Sequence, residues 1–88
     1  MIGLVKQLEQ HLQLYSKGNC HLCDVAKEEL LIVKSKMGIS FQEIDIYKDN
    51  ELIEMYGLMI PVVKYKHDII QYGQIDHCTI IHFLNSEI

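Results

Sequence analysis

Leu12-Gln13-Leu14-Tyr15-Ser16-Lys17-Gly18-Asn19-Cys20-His21-Leu22-Cys23 is the stretch whose reading decides the fold. Residues 11–16 alternate, with Leu12 and Leu14 on one face and Gln13 and Tyr15 on the other, the period of a short strand. Gly18-Asn19 is a turn signal. From Cys20 to Met37 the period becomes helical. Leu22, Ala26, Leu30, Val33 and Met37 form one stripe, and Asp24, Lys27, Glu28 and Lys34 lie off it. Asp24 and Glu28-Glu29 load the first half with acid, and Lys34 and Lys36 load the end with base, as the helix macrodipole favours. Gly38 is a natural stop just beyond the helix. Cys20 and Cys23 therefore fall at a strand-to-helix turn. With two residues between them they can close a small disulfide ring without refolding anything. The N–H groups at the helix start stabilise a thiolate on the first sulfur.

The remaining chain extends this pattern. Residues 39–46 read as a second strand carrying Ile39, Phe41, Ile44 and Ile46. Asp49-Asn50 supplies an N-cap for a short helix over 51–56, closed by Gly57. Ile60-Pro61 opens a strand at 62–66. His67-Asp68 is the expected two-residue turn, and a fourth strand follows at 69–72. Gly73-Gln74 leads into a last helix capped by Asp76, with Ile75 and Ile80 placed for a hydrophobic staple. Ile80, Ile81, Leu84 and Ile88 are its buried stripe. Upstream, Ile2, Val5 and Leu8 have helical spacing over residues 2–9. The order is (α)βαβαββα, an α/β chain. Its first strand–helix–strand unit predicts a parallel pair and its later hairpin an antiparallel pair.

The chain has 88 residues, which predicts one domain over 1–88. It is 49% hydrophobic and 23% charged, with a net charge of -4, so it lacks the basic footprint of a nucleic-acid binder. The pairs Lys34/Lys36 and Lys64/Lys66 read as solvated surface. Met1-Ile2-Gly3-Leu4-Val5 is too short for a signal peptide core, Lys6 and Glu9 interrupt it, and Ile2 rules out myristoylation. No apolar run reaches the ~20 residues that span a membrane. Three cysteines, only two of them clustered, do not make a secreted disulfide scaffold. The chain reads as a cytoplasmic monomer whose cysteines serve chemistry.

This order, with Cys20-His21-Leu22-Cys23 at the first helix and Pro61 opening the third strand, resembles the thioredoxin fold. More narrowly it resembles the glutaredoxins and the small bacterial glutaredoxin-like proteins. The likeness runs from about Leu12 to Leu84. It is strongest over Leu12–Cys23, over Tyr56-Gly57-Leu58-Met59-Ile60-Pro61-Val62, and from Gly73 to Asp76. It implies a thioredoxin-like four-stranded mixed sheet flanked by helices, a cis peptide at Ile60-Pro61, and thiol–disulfide exchange.

On that resemblance Cys20 is the exposed nucleophile, whose thiolate attacks a substrate disulfide. Cys23, more buried, resolves the mixed disulfide. His21, inside the ring, either stabilises the thiolate as a cation or is an exposed bystander. Pro61 sets the Ile60 backbone where a substrate chain can pair with it; the plainer alternative is a turn proline starting an edge strand. Lys17 matches the glutaredoxin lysine that binds the glutathione carboxylate. Gly73 and Asp76 match part of the Gly-Gly…Asp element that holds the glutamyl end, and Asp76 also reads as a helix cap.

Four positions depart from the family. Gly18-Asn19 replaces Pro-x, His-Leu replaces Pro-Tyr between the cysteines, Met59 stands for threonine, and Tyr72 replaces the first glycine of the pair. Tyr72 either narrows the glutathione cleft or lines a different substrate surface.

The implied function is a thiol–disulfide oxidoreductase with glutathione as co-substrate, glutathione or protein disulfides as partners, and no metal or tightly bound cofactor. The alternatives are a reductase-fed dithiol protein of thioredoxin type, an iron–sulfur or metal carrier, and an interaction domain that has lost activity. Cys78, second in the last helix, reads first as a partly buried small apolar residue and second as a regulatory or glutathionylated thiol. His77 and Cys78 diverge by about 100° on a helix, which disfavours a shared metal. His11, His67 and His82 read as surface or boundary residues, and Tyr15, Tyr47, Tyr56 and Tyr65 as packing residues.

Overall fold

The structure of the protein, a computed structural model, describes residues 12–87. The helix expected over 2–9, His11, and Ile88 of the last stripe lie outside the described residues. The elements are β1 (Leu12–Ser16), α1 (His21–Met37), β2 (Phe41–Asp45), a 3-10 turn (Ile46–Lys48), α2 (Asn50–Tyr56), β3 (Val62–Tyr65), β4 (Asp68–Tyr72) and α3 (His77–Glu87). The strands form one sheet in the order β2-β1-β3-β4. β1 runs parallel to β2 and antiparallel to β3, and β3 runs antiparallel to β4. The crossover through α1 requires the first pairing and the short β3–β4 turn allows the last.

Alternation in β1 buries Leu12, Leu14 and Ser16 and leaves Gln13 and Tyr15 half-buried. α1 buries Cys23, Ala26, Leu30 and Val33. Leu12, Leu14, Ala26, Leu30 and Val33 join Ile75, Ile80 and Leu84 from the α3 region, and Val63 and Tyr65 from β3, in one hydrophobic core. Leu22 departs from the expected stripe: it is 39% exposed. Spacings of three and four from Cys23 define the buried face, and Leu22 sits about 100° off it. Gly38 ends α1 at φ 72, donating its N–H to Lys34 O at 2.8 Å.

The second strand is shorter than expected. Asp45 accepts the Tyr47 N–H at 2.9 Å and starts the 3-10 turn. That turn buries Ile46 and leaves Tyr47 59% exposed, so Tyr47 is not a packing residue. Asp49 caps α2 through Glu51 N at 2.9 Å, and the helix starts at Asn50. The hairpin turn is Lys66-His67 rather than His67-Asp68. Tyr65 pairs with Asp68, which draws Asp68 into β4 and leaves Lys66 at φ 58. A register shift at Val63/Lys64 follows. Among the described residues no helix is long and apolar enough to cross a membrane.

Candidate functional site

Strand register gathers the site. Tyr15 lies opposite Val62, and Val62 opposite Tyr72. The loop after β1, the segment before β3 and the loop after β4 therefore meet at one end of the sheet. They carry Lys17–Cys20, Ile60-Pro61 and Gly73 respectively.

Asn19 turns the chain at φ 51, and Cys20 is the N-cap of α1 in extended geometry. The Cys20 and Cys23 sulfurs are paired as a disulfide, with Cα atoms 5.2 Å apart. Cys20 Sγ accepts the Cys23 N–H at 3.2 Å, and the Cys20 carbonyl accepts the Asp24 N–H at 3.1 Å. Cys20 is half-buried and Cys23 fully buried. An incoming thiol or disulfide thus meets Cys20 first. A helix-start N–H already points at the sulfur where negative charge appears when the bond opens. His21 is exposed beside the ring.

The Ile60-Pro61 peptide is cis, as the resemblance implies, and Pro61 is buried. Tyr56 holds this segment, since its carbonyl accepts Met59 N (2.8 Å) and Ile60 N (3.1 Å). The Ile60 N–H is thereby engaged within its own segment. Gly73, at φ 80, donates to the Pro61 carbonyl at 2.8 Å and ties the third loop to the second.

Two grooves flank the start of α1. One, of about 760 Å³, includes Lys17, Asn19, Asp24, Lys27, Glu43 and Asp45. The other, of about 430 Å³, is lined by Leu22, Val25, Gln71, Gln74, Ile75 and Asp76. Lys17 and Asp76 therefore open onto different grooves. Tyr72 is exposed and lines neither.

Asp76 caps α3, accepting Thr79 N (2.8 Å) and Thr79 Oγ1 (2.9 Å), while Gln71 Nε2 donates to its carboxylate at 3.0 Å. These bonds, Gln71 first, hold the Asp76 carboxyl below its ordinary range. Ile75 and Ile80, the expected staple pair, are both buried.

Sequence reasoning missed several partners. Buried Ser16 donates to Glu43 Oε2 at 2.8 Å, and Lys27 pairs with the same oxygen at 3.2 Å. This network ties the end of β1 to α1 and β2. Only the parallel β1–β2 pairing, with Ser16 opposite Asp45, could have revealed it. Lys64, expected as solvated surface, lies 5.9 and 5.8 Å from the Tyr15 and Tyr56 ring centres and donates to Tyr56 Oη at 3.2 Å. The two rings sit 4.7 Å apart. Cys78, expected to be partly buried, is exposed. It precedes buried Ile80 by two positions, about 200° around the helix.

A mixed sheet in this order, with an accessible half-cystine capping the first helix and a cis-proline at the same end of the sheet, defines the thioredoxin-fold class of thiol proteins. Within it, the chain belongs to the glutaredoxin-like domain family (DUF836), whose profile matches residues 11–85. A solved structure of a structural-genomics target from X. campestris is similar at 31% identity and TM-score 0.70, over 85% of this chain and 96% of that one. Thioredoxin 1 from Thermosipho africanus superposes at TM-score 0.58 with 14% identity, covering 88% of this chain and 97% of that one. The buckwheat glutaredoxin–glutathione complex does so at TM-score 0.50 with 17% identity, covering 98% and 80%. No curated protein matches the chain.

Proposed function

We propose that the protein is a glutathione-linked thiol–disulfide oxidoreductase of the cytoplasm that cycles Cys20 and Cys23 between dithiol and disulfide. The Cys20 thiolate attacks a substrate disulfide, forming a Cys20–substrate bond and expelling one substrate thiolate, which takes up a proton. Cys23 gives up its proton and attacks the Cys20 sulfur, releasing the second substrate thiol and closing the ring. Two electrons pass to the substrate. Two glutathione molecules return them: the first opens the ring at Cys20, and the second removes the first as glutathione disulfide. No resident metal or cofactor enters this cycle, and the protein works as a monomer.

The observation that carries the reading is the asymmetry of the pair: Cys20 reachable, Cys23 sealed. Glutathione use is supported by family membership and by Lys17 on the loop that leads into Cys20. A second reading, in which a reductase feeds the dithiol, is favoured by the Asp76 carboxylate being already engaged by Gln71 and Thr79.

The test is glutathione-coupled reduction of a small glutathione mixed disulfide by wild type, Cys23→Ser and Cys20→Ser. Turnover is expected in the first two and lost in the third. No turnover by wild type, with Cys20 still alkylating rapidly, would transfer the assignment to the reductase-fed reading.

A further inference from the structure

α3 opens with His77 and Cys78, and neither belongs to the redox site. They line a separate groove of about 410 Å³ with Lys36, Ile81, His82 and Asn85. Lys36 is near the far end of α1 from Cys20. At 1.5 Å per residue those two positions lie roughly 24 Å apart along the helix, well beyond the ~7 Å between Cα atoms that a disulfide allows.

Three side chains in this region are arranged in series. Glu29, on α1, accepts the His77 backbone N–H at 2.8 Å, and its Oε1 lies 2.7 Å from His77 Nδ1. His77 Nε2 lies 3.7 Å from Cys78 Sγ. The two His77 bonds hold the Glu29 carboxyl below its ordinary range. A Glu29 carboxylate only accepts, so it takes the Nδ1 side of the ring, and Nε2 is the ring nitrogen that faces the thiol. Carboxylate and sulfur occupy opposite nitrogens of one ring, an arrangement that orients a base but does not chelate an ion.

We propose that Glu29, His77 and Cys78 form a second thiol-exchange site, at which Cys78 captures small anionic disulfides as mixed disulfides. His77 Nε2 takes the Cys78 proton as Sγ attacks one sulfur of the disulfide. A Cys78–S–S–R bond forms, the R–S–S–R bond breaks, and the departing thiolate recovers the proton from the imidazolium. Cys78 is oxidised and the small disulfide reduced, so no further oxidant is needed. The base is aimed by a third group, the geometry that activates nucleophiles elsewhere. The ligand class follows from the groove, where Lys36 offers positive charge and the Asn85 amide a donor over apolar Ile81. The Glu29 carboxylate is taken up by its two His77 bonds, and Asp76 lines the other groove.

With Cys20–Cys23 oxidised, Cys78 is the single free thiol of the three cysteines. The oxidised protein is mixed with oxidised glutathione at neutral pH. Initial rates of glutathionyl addition are followed by mass spectrometry, with peptide mapping to Cys78. The native protein is expected to react at least ~10-fold faster than the urea-unfolded chain, a modest share of what a positioned base supplies. It should also prefer oxidised glutathione over the cationic disulfide cystamine. His77→Gln should remove the excess rate, and Lys36→Glu should reverse the charge preference. A native rate no higher than the unfolded one, or one unmoved by His77→Gln, would overturn the site. The native-against-unfolded comparison uses wild type alone and needs no variant to fold. Equal rates with cystamine would overturn the assignment of anionic ligands.

Discussion

Leu30→Ala and Leu22→Ala are the same truncation on the same helix, yet their costs should differ severalfold. Leu30 is fully buried among Leu12, Leu14, Val63, Ile80 and Leu84, whereas Leu22 is 39% exposed on the wall of a groove. Removing three buried carbons at ~0.8 kcal/mol each costs about 2.4 kcal/mol at Leu30 before any cavity forms. Incomplete collapse around a sealed site adds ~24 cal/mol per Å³, which brings the total to roughly 3–4 kcal/mol. At Leu22 part of that surface is already wet and no sealed cavity results, so about 1–1.5 kcal/mol is expected. A domain of this length has roughly 4–13 kcal/mol of total stability, so Leu30→Ala removes a large share. The assay is urea unfolding of the oxidised proteins at one pH, read as midpoint shifts at constant slope. Equal losses in the two variants, or a Leu30→Ala loss under ~1.5 kcal/mol, would refute the placement of the core along the Cys23–Ala26–Leu30–Val33 face.

Two further outcomes follow from the α1–α3 contact and the α3 cap. The lowered pKa of Glu29 means its contribution is fully present above the ordinary carboxylate range and lost as pH falls through the folded value. The stability gap between wild type and Glu29→Gln should therefore shrink on acidification; a pH-independent gap in urea melts would contradict the His77 bonds as its cause. Asp76→Ala should lower the melting midpoint more than Asp76→Asn, which keeps a capping oxygen for Thr79 N while losing the Gln71 bond. Glutathione turnover should stay near wild type in Asp76→Asn, and a rise in KM with little change in midpoint would place the carboxylate on the ligand instead.

What was legible in the sequence is what local signals encode. Alternation over Leu12–Tyr15 and the stop at Gly38 each specify a conformation within a few residues. So do the turn at Gly18-Asn19, which places the cysteine pair at the head of α1, and the caps at Asp49 and Asp76. Cys78 was expected to be partly buried and is exposed, although its place two residues before buried Ile80 is the opposite side of a helix. What escaped was set by packing between distant segments. Glu29 meets His77 across 48 positions and Ser16 meets Glu43 across 27, and nothing local marks either pair. Tyr47 turned outward because one Asp45 hydrogen bond converted the end of a strand into a 3-10 turn. Lys64 found two aromatic rings because β1 and β3 lie side by side.

The register shift between β3 and β4 bears on how copies of this chain behave in concentrated solution. Among the described residues the sheet has two open margins, β2 and β4. β2 carries Glu43 and Asp45, charges that discourage a neighbouring chain from adding there. β4 has Ile69, Ile70 and Tyr72 over five residues, with Asp68 as its single charge. A straight strand of that composition is a template for intermolecular pairing. The irregularity opposite Val63/Lys64 breaks the even spacing of its free N–H and C=O groups and increases local twist. Straightening that bulge would open the β4 margin to edge-to-edge aggregation.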